Sequence, residues 1–218
     1  MTRQVLLRKI MSAGDDIRRL EQGITALQSV DVVEYPENYS ALSREAAIRG
    51  EIITQKLRRL IYETTDSTKQ EYDVCAANAL GISIKEESGM IEITMPCLLP
   101  KRKKICAGYI TDPLYAALSD FVSQRPIEKT FERFGKCIIC VTHIYDKVLG
   151  IKGRVRDHDN IELKGILDVI NAFLLTDDSG DLCDIYNTST ISDDDKTLIT
   201  IMNRDMFPAW ILQHQKSP

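Results

Sequence analysis

Aromatic residues are scarce in this chain, at 6% of 218 positions with a single Trp. A strong charge imbalance is also missing. The 28 Lys and Arg against 32 Asp and Glu leave a net charge of −4, so no general basic coat for nucleic acid is present. No run approaches the ~18 apolar residues of a membrane span. The opening Met-Thr-Arg-Gln-Val-Leu-Leu-Arg-Lys lacks the unbroken apolar core of a signal peptide. These absences predict a cytoplasmic protein with no membrane partner. The six cysteines show no zinc-finger spacing. Cys137 and Cys140 sit three apart in an apolar, β-like run, where they would face opposite sides of a strand. His143 and His158 form no metal-ligand spacing, and His143, inside that run, reads as a satisfied core histidine. No phosphate loop, nucleophile elbow or dinucleotide fingerprint occurs.

A 44% hydrophobic and 28% charged composition is that of a globular chain. Leu6, Ile10, Ala13, Ile17, Leu20, Ile24 and Leu27 alternate spacings of four and three, which places one apolar stripe on a helix. Asp31 to Asn38, with Pro36, should break that helix. A second amphipathic helix is expected over residues 40–62. The two suggest a helical hairpin or coiled-coil arm over residues 1–66, serving either as a packing appendage or as a surface for dimerisation or a protein partner.

Residues 67–218 form the second expected domain. Thr68-Lys-Gln-Glu71 fits a capping box. Residues 82–85 and 90–95 alternate around Glu87-Ser-Gly89 and predict a β-hairpin. A helix is expected over residues 112–124, with Pro113 in its first turn. A buried strand over 137–144, a helix over 165–175, a strand over 182–187 and a strand over 197–202 complete a β-β-α-β-α-β-β order. The fold class is therefore α+β, a mixed sheet preceded by the helical hairpin. Asp193-Asp194-Asp195 reads as the tip of a closing hairpin that faces no candidate ligand.

The densest chemistry lies in Arg154-Val-Arg156-Asp157-His158-Asp159-Asn160, followed by Lys164, Asp168 and Asp177-Asp178. Residues 151–218 carry seven basic and twelve acidic side chains, so the acidic excess of the chain sits here. Clustered carboxylates repel unless a cation neutralises them. Asp157 and Asp159, two apart on an extended backbone, can face one ion. Mg²⁺ suits one or two carboxylates, with water and phosphate oxygens in its remaining positions. Lys164 could stabilise a charged leaving oxygen. The same residues also fit a plainer reading, in which the acids decorate a helix N-terminus and Asp177-Asp178-Ser-Gly180 is a turn.

This string, with the opening strand Ile91-Glu-Ile-Thr-Met-Pro96, resembles the RusA-like Holliday junction resolvases over residues ~90–203. The resemblance implies a Mg²⁺-dependent, structure-selective endonuclease acting on branched DNA as a homodimer. Asp157, Asp159 and Asp178 would hold the metal, and Lys164 would act as the catalytic lysine. Here Lys164 lies five residues after Asp159, one more than the family's spacing. Lys101, Arg102, Lys103 and Lys104 match a basic DNA-binding loop, and Arg154 and Arg156 add to it. The alternative is a catalytically inactive fold of that kind, used as a DNA-binding or protein-interaction module.

Overall fold

The computed structural model describes residues 2–102, 108–125, 131–149 and 154–214. The chain divides into two compact units, Met1–Lys69 and Gln70–Pro218. No helix among the described residues is long and apolar enough to cross a membrane.

The first unit consists of α1 (Arg3–Ser29) and α2 (Pro36–Thr64). Thr2 caps α1 through its side chain, which accepts from the Val5 amide at 3.4 Å. The first helix ends at Ser29, just before the expected break, and Pro36 opens α2. At the first helical position its missing N–H costs nothing, and its fixed φ is already helical. The helices run antiparallel, because Lys9 pairs with Glu63 while Lys56 pairs with Asp16 and donates to Ser12 Oγ at 2.9 Å. The Lys56 ammonium beside Asp16 holds that carboxyl below its ordinary range. Only Ala13 and Ile53 are fully buried in these helices. Within the heptad stripe, Leu6, Leu20 and Leu27 are half-buried, whereas Ile10, Ile17 and Ile24 stay 46%, 47% and 45% exposed. A single partner helix covers only one side of a stripe this wide.

The second unit is α+β. Its elements are α3 (Lys69–Ala79), β1 (Ser83–Glu87), β2 (Met90–Met95), α4 (Gly108–Ser123), β3 (Cys137–Asp146), α5 (Lys164–Leu174), β4 (Cys183–Ser192), β5 (Lys196–Asn203) and α6 (Phe207–His214). Five strands form one mixed sheet in the order β1-β2-β5-β3-β4. β1 and β2 pair through a two-residue turn, with Glu87 opposite Met90. Ser88 and Gly89 both take positive φ there, 52° and 78°. Two successive left-handed residues match the twist of a hairpin, and glycine is the residue that adopts this freely.

The expected closing hairpin does not form. β4 pairs with β3 in parallel, β5 pairs with β3 antiparallel, and β3 therefore separates β4 from β5. The three-residue link Asp193-Asp194-Asp195 crosses the end of β3 instead of turning between paired neighbours. Its position is fixed where the Lys147 amide donates to Ser192 O at 2.9 Å and the Asp146 amide donates to Asp195 Oδ1 at 2.8 Å.

One face of the sheet carries Ile91, Ile93, Met95, Ile139, Val141, Ile199 and Ile201, the alternate residues of β2, β3 and β5. It packs against Ile110, Leu114 and Leu118 of α4 and Ile166, Ile170 and Leu174 of α5. Both triplets recur every four residues, the spacing of one helix face. Tyr115 meets Phe173 edge-on between these helices at 4.8 Å. A Cβ on Gly165 would stand 3.1 Å from Thr111 Cγ2, so the glycine permits the close approach of α5 to α4. Pro113 lies inside α4, past its first turn, because the helix opens at Gly108. The opposite sheet face packs Ile138, Cys140 and Met202 against Trp210 of α6.

Candidate functional site

The two basic segments of the sequence meet at the end of β3. Residues 100–102 pair with residues 160–162: the Arg102 amide donates to Asn160 O at 2.8 Å, and the Glu162 amide donates to Pro100 O at 2.9 Å. Lys101 lies opposite Ile161 in this antiparallel bridge. Pro96, Cys97, Leu98, Lys101, Arg154, Arg156 and Asp195 line an open cleft of about 440 Å³. Lys103 and Lys104 lie outside the described residues.

Each guanidinium is tethered. Arg154 pairs with Asp195 and donates to Asp146 O at 3.3 Å. Arg156 donates from its amide to the Tyr145 hydroxyl at 3.1 Å and from its guanidinium to Leu99 O. Burial pushes the Cys97 thiol up, while the nearby Arg156 charge pulls the other way. The link residue Asp195 thus faces a partner after all, since it belongs to the cleft wall. Lys147 pairs with Asp193 of the same link. Lys101 is exposed and in no ion pair among the described residues, so its charge faces the cleft mouth.

Asp157 and Asp159 are exposed beside this cleft. Asp157 precedes a 3₁₀ turn, His158–Asn160, and Asp159 lies within it. Lys164, also exposed, starts α5. Asp178 lies beyond the other end of that helix. It neighbours Cys183, whose register partner Cys137 begins β3. Arg156, by contrast, bonds Tyr145 near the end of β3. Eight residues of strand separate those positions, or ~26 Å at 3.3 Å per residue. Asp178 therefore does not join Asp157 and Asp159 around one ion within a chain. Among the described residues, no group of three or more His, Cys, Asp or Glu side chains is placed to hold a metal. Asp178 belongs to a turn of its own, where its amide donates to Asp177 Oδ1 at 3.0 Å.

His143 is not the satisfied core histidine expected of an apolar strand. It is 1% exposed, and its buried Nε2 has no hydrogen-bond partner among the described residues. Burial first, then the nearby His158 and Arg156, lower its pKa to about 4, while a bond with the Asn187 side chain opposes them. The His158 ring lies 5.8 Å away, tilted by 35°. His158 Nε2 is 3.2 Å from Ser189 Oγ, and Ser189 is the β4 register partner of His143. Fifteen residues separate the two histidines, and no local motif joins them. The only available sequence signal was a polar side chain in the run Cys-Ile-Ile-Cys-Val-Thr-His-Ile.

No curated protein matches the chain. Among solved structures, it is similar at 12% identity to the periplasmic domain of Helicobacter pylori MotB (residues 90–256), over 63% of this chain and 91% of that one, with a TM-score of 0.32. It is similar at 12% identity to the periplasmic domain of MotB (residues 64–256), over 70% and 95%, with a TM-score of 0.34. A putative translation initiation inhibitor from Salmonella typhimurium matches at 9% identity over 57% and 98%, with a TM-score of 0.23. Scores this low carry no argument about fold or activity. The resemblance to RusA-like resolvases is corrected, because the family model that matches the chain is not a resolvase family and Asp178 lies away from Asp157 and Asp159. The motif string misled because its acids are near in sequence but held apart by the length of α5. A family model instead matches residues 2–218, and the chain belongs to that family, the family of unknown function DUF6100.

Proposed function

We propose that the second unit binds the phosphodiester backbone of nucleic acid at the cleft lined by Lys101, Arg154 and Arg156. One observation carries this reading: two basic segments some fifty residues apart are joined at one mouth by the pairing of 100–102 with 160–162. Phosphate oxygens accept from guanidinium and ammonium donors, and such contacts hold a backbone regardless of base sequence. The Arg156 guanidinium is held by Leu99 O and its backbone amide by the Tyr145 hydroxyl, so less side-chain freedom is lost on binding. Arg102 lies beside this mouth, on the same bridge. The test is a fluorescence-anisotropy titration of the full chain with single-stranded, duplex and four-way-junction DNA at several salt concentrations. Binding that weakens steeply with salt supports the reading. No binding at low salt refutes it.

A second reading, Mg²⁺-dependent hydrolysis of the bound backbone, is favoured by the exposure of Asp157 and Asp159 beside the same cleft. Two carboxylates suit an ion that takes its other oxygens from water and phosphate. Mg²⁺ would supply a polarised water and neutralise charge on the phosphate. Lys164 would add positive charge five residues further on. Incubation of each DNA with and without Mg²⁺ decides the matter. Cleavage lost in Asp157→Asn with DNA binding retained supports hydrolysis, and binding without cleavage leaves a binding module.

A further inference from the structure

We propose that His143 and His158 form a binding site for a divalent transition-metal ion of the zinc and cobalt class, separate from any Mg²⁺ site at the carboxylates. His143 is 1% exposed, yet its Nε2 has no partner among the described residues. A buried polar atom without a bond is costly, and a ligand that satisfies it recovers that cost. The Asn187 side chain lies beside the ring, and Nε2, without a partner among the described residues, is open to a ligand. A histidine tied at one nitrogen by an amide or carboxylate and open at the other is how proteins prepare a metal ligand.

His158 supplies the second imidazole. Ser189 Oγ occupies its Nε2 side, which leaves Nδ1 for a ligand. The ring centres are 5.8 Å apart. With a zinc–nitrogen bond of about 2.1 Å and a ring centre roughly 1.1 Å beyond it, two imidazoles on one ion have centres about 5.2 Å apart at a tetrahedral angle and about 6.4 Å apart at most. The observed separation lies inside that range. Two imidazoles select transition metals over Mg²⁺, which requires oxygen ligands. Water completes the coordination, as in open zinc sites. The Arg156 charge acts against an added cation, and the carboxylates on either side of His158 in sequence, Asp157 and Asp159, act for it.

The experiment is titration of the metal-free full chain with Co²⁺, followed by visible d–d absorption, then competition with Zn²⁺ and with Mg²⁺. The expected result is one Co²⁺ per chain, displaced by Zn²⁺ and unaffected by excess Mg²⁺. His158→Ala, an exposed change, should weaken Co²⁺ binding at least tenfold with the far-UV circular dichroism unchanged. His143→Asn should do the same. His214→Ala, at the remaining histidine of the chain, should leave binding intact, because His214 stacks on Trp210 in α6. No d–d band, or a band that survives His158→Ala, overturns the proposal. The outcome is independent of the nucleic-acid reading, because no DNA is present.

Discussion

Asp195 accepts from the Asp146 amide with Oδ1 and from Arg154 with Oδ2, so one carboxylate joins the link after β4, the end of β3 and the wall of the cleft. Both oxygens are used, and both partners are part-buried. The carboxylate also places a negative charge where we propose that phosphate binds.

Asp195→Ala should therefore have opposite effects on stability and on binding. Losing a part-buried acceptor for a backbone amide and a guanidinium should cost about 1–2 kcal/mol, roughly 3–6 °C in Tm for a chain of this size. Nucleic-acid affinity should rise, because a repelling charge has gone. Asp195→Asn keeps an acceptor for the amide and should show the affinity gain with a smaller loss of Tm. Differential scanning fluorimetry and anisotropy on the same samples check both.

Lys101→Ala should leave the fold intact, since its side chain is exposed and in no ion pair among the described residues. It should reduce the slope of log affinity against log salt by about 0.9 on duplex DNA, the share of one phosphate contact. Parallel slopes for wild type and variant would remove Lys101 from the interface.

Acid should destabilise the fold through His143. Its folded pKa of about 4 lies below its ordinary value of 6.5, so folding favours the neutral ring. That stabilisation is complete above pH 6.5 and is lost as the pH falls through the window towards 4. It amounts to at most about 3 kcal/mol, from 1.36 kcal/mol per pH unit. Urea unfolding at pH 7, 5.5 and 4 should show a steeper decline in wild type than in His143→Asn.

Gly89→Ala should destabilise the β1–β2 turn by about 1 kcal/mol, because alanine resists the positive φ of 78°. The position is open enough for a methyl group, with Met206 Sδ at 3.9 Å, so the penalty is conformational and not steric. Equilibrium denaturation compared with a Gly23→Ala control, at a helical position with ordinary φ, isolates it. The control should gain stability.

The elements that sequence made legible are those with strong local periodicity. Ile91, Ile93 and Met95 announce a strand with one buried face. Ile166, Ile170 and Leu174 announce a helix. Pairing partners were less visible. Nothing local to Ser192–Lys196 distinguishes a hairpin from a link that crosses a third strand, because that choice depends on where residues 137–146 already lie. At the site, the convergence of Lys101 with Arg154 and Arg156 depends on the backbone bridge at Ile161, a long-range contact. Adding Asp178 to the Asp157 and Asp159 pair overreached for the same reason. Sequence proximity of Asp159 and Asp178 says little when the helix between them is extended by packing on α4. His143 was misjudged because its missing partner can be seen only once Asn187 and His158 are in place.

The strand order has a further consequence for biosynthesis. Among the described residues, β5 alone joins the β1–β2 ribbon to the β3–β4 pair in the sheet, and it is the last of the five strands in sequence. Until residue 203 has left the ribosome, the nascent sheet consists of two halves with facing edges at β2 and β3, both rich in isoleucine. Those open edges can pair with another chain as readily as with β5. The period between synthesis of β3 and synthesis of β5 is thus when the edges of β2 and β3 are most open to pairing with another chain.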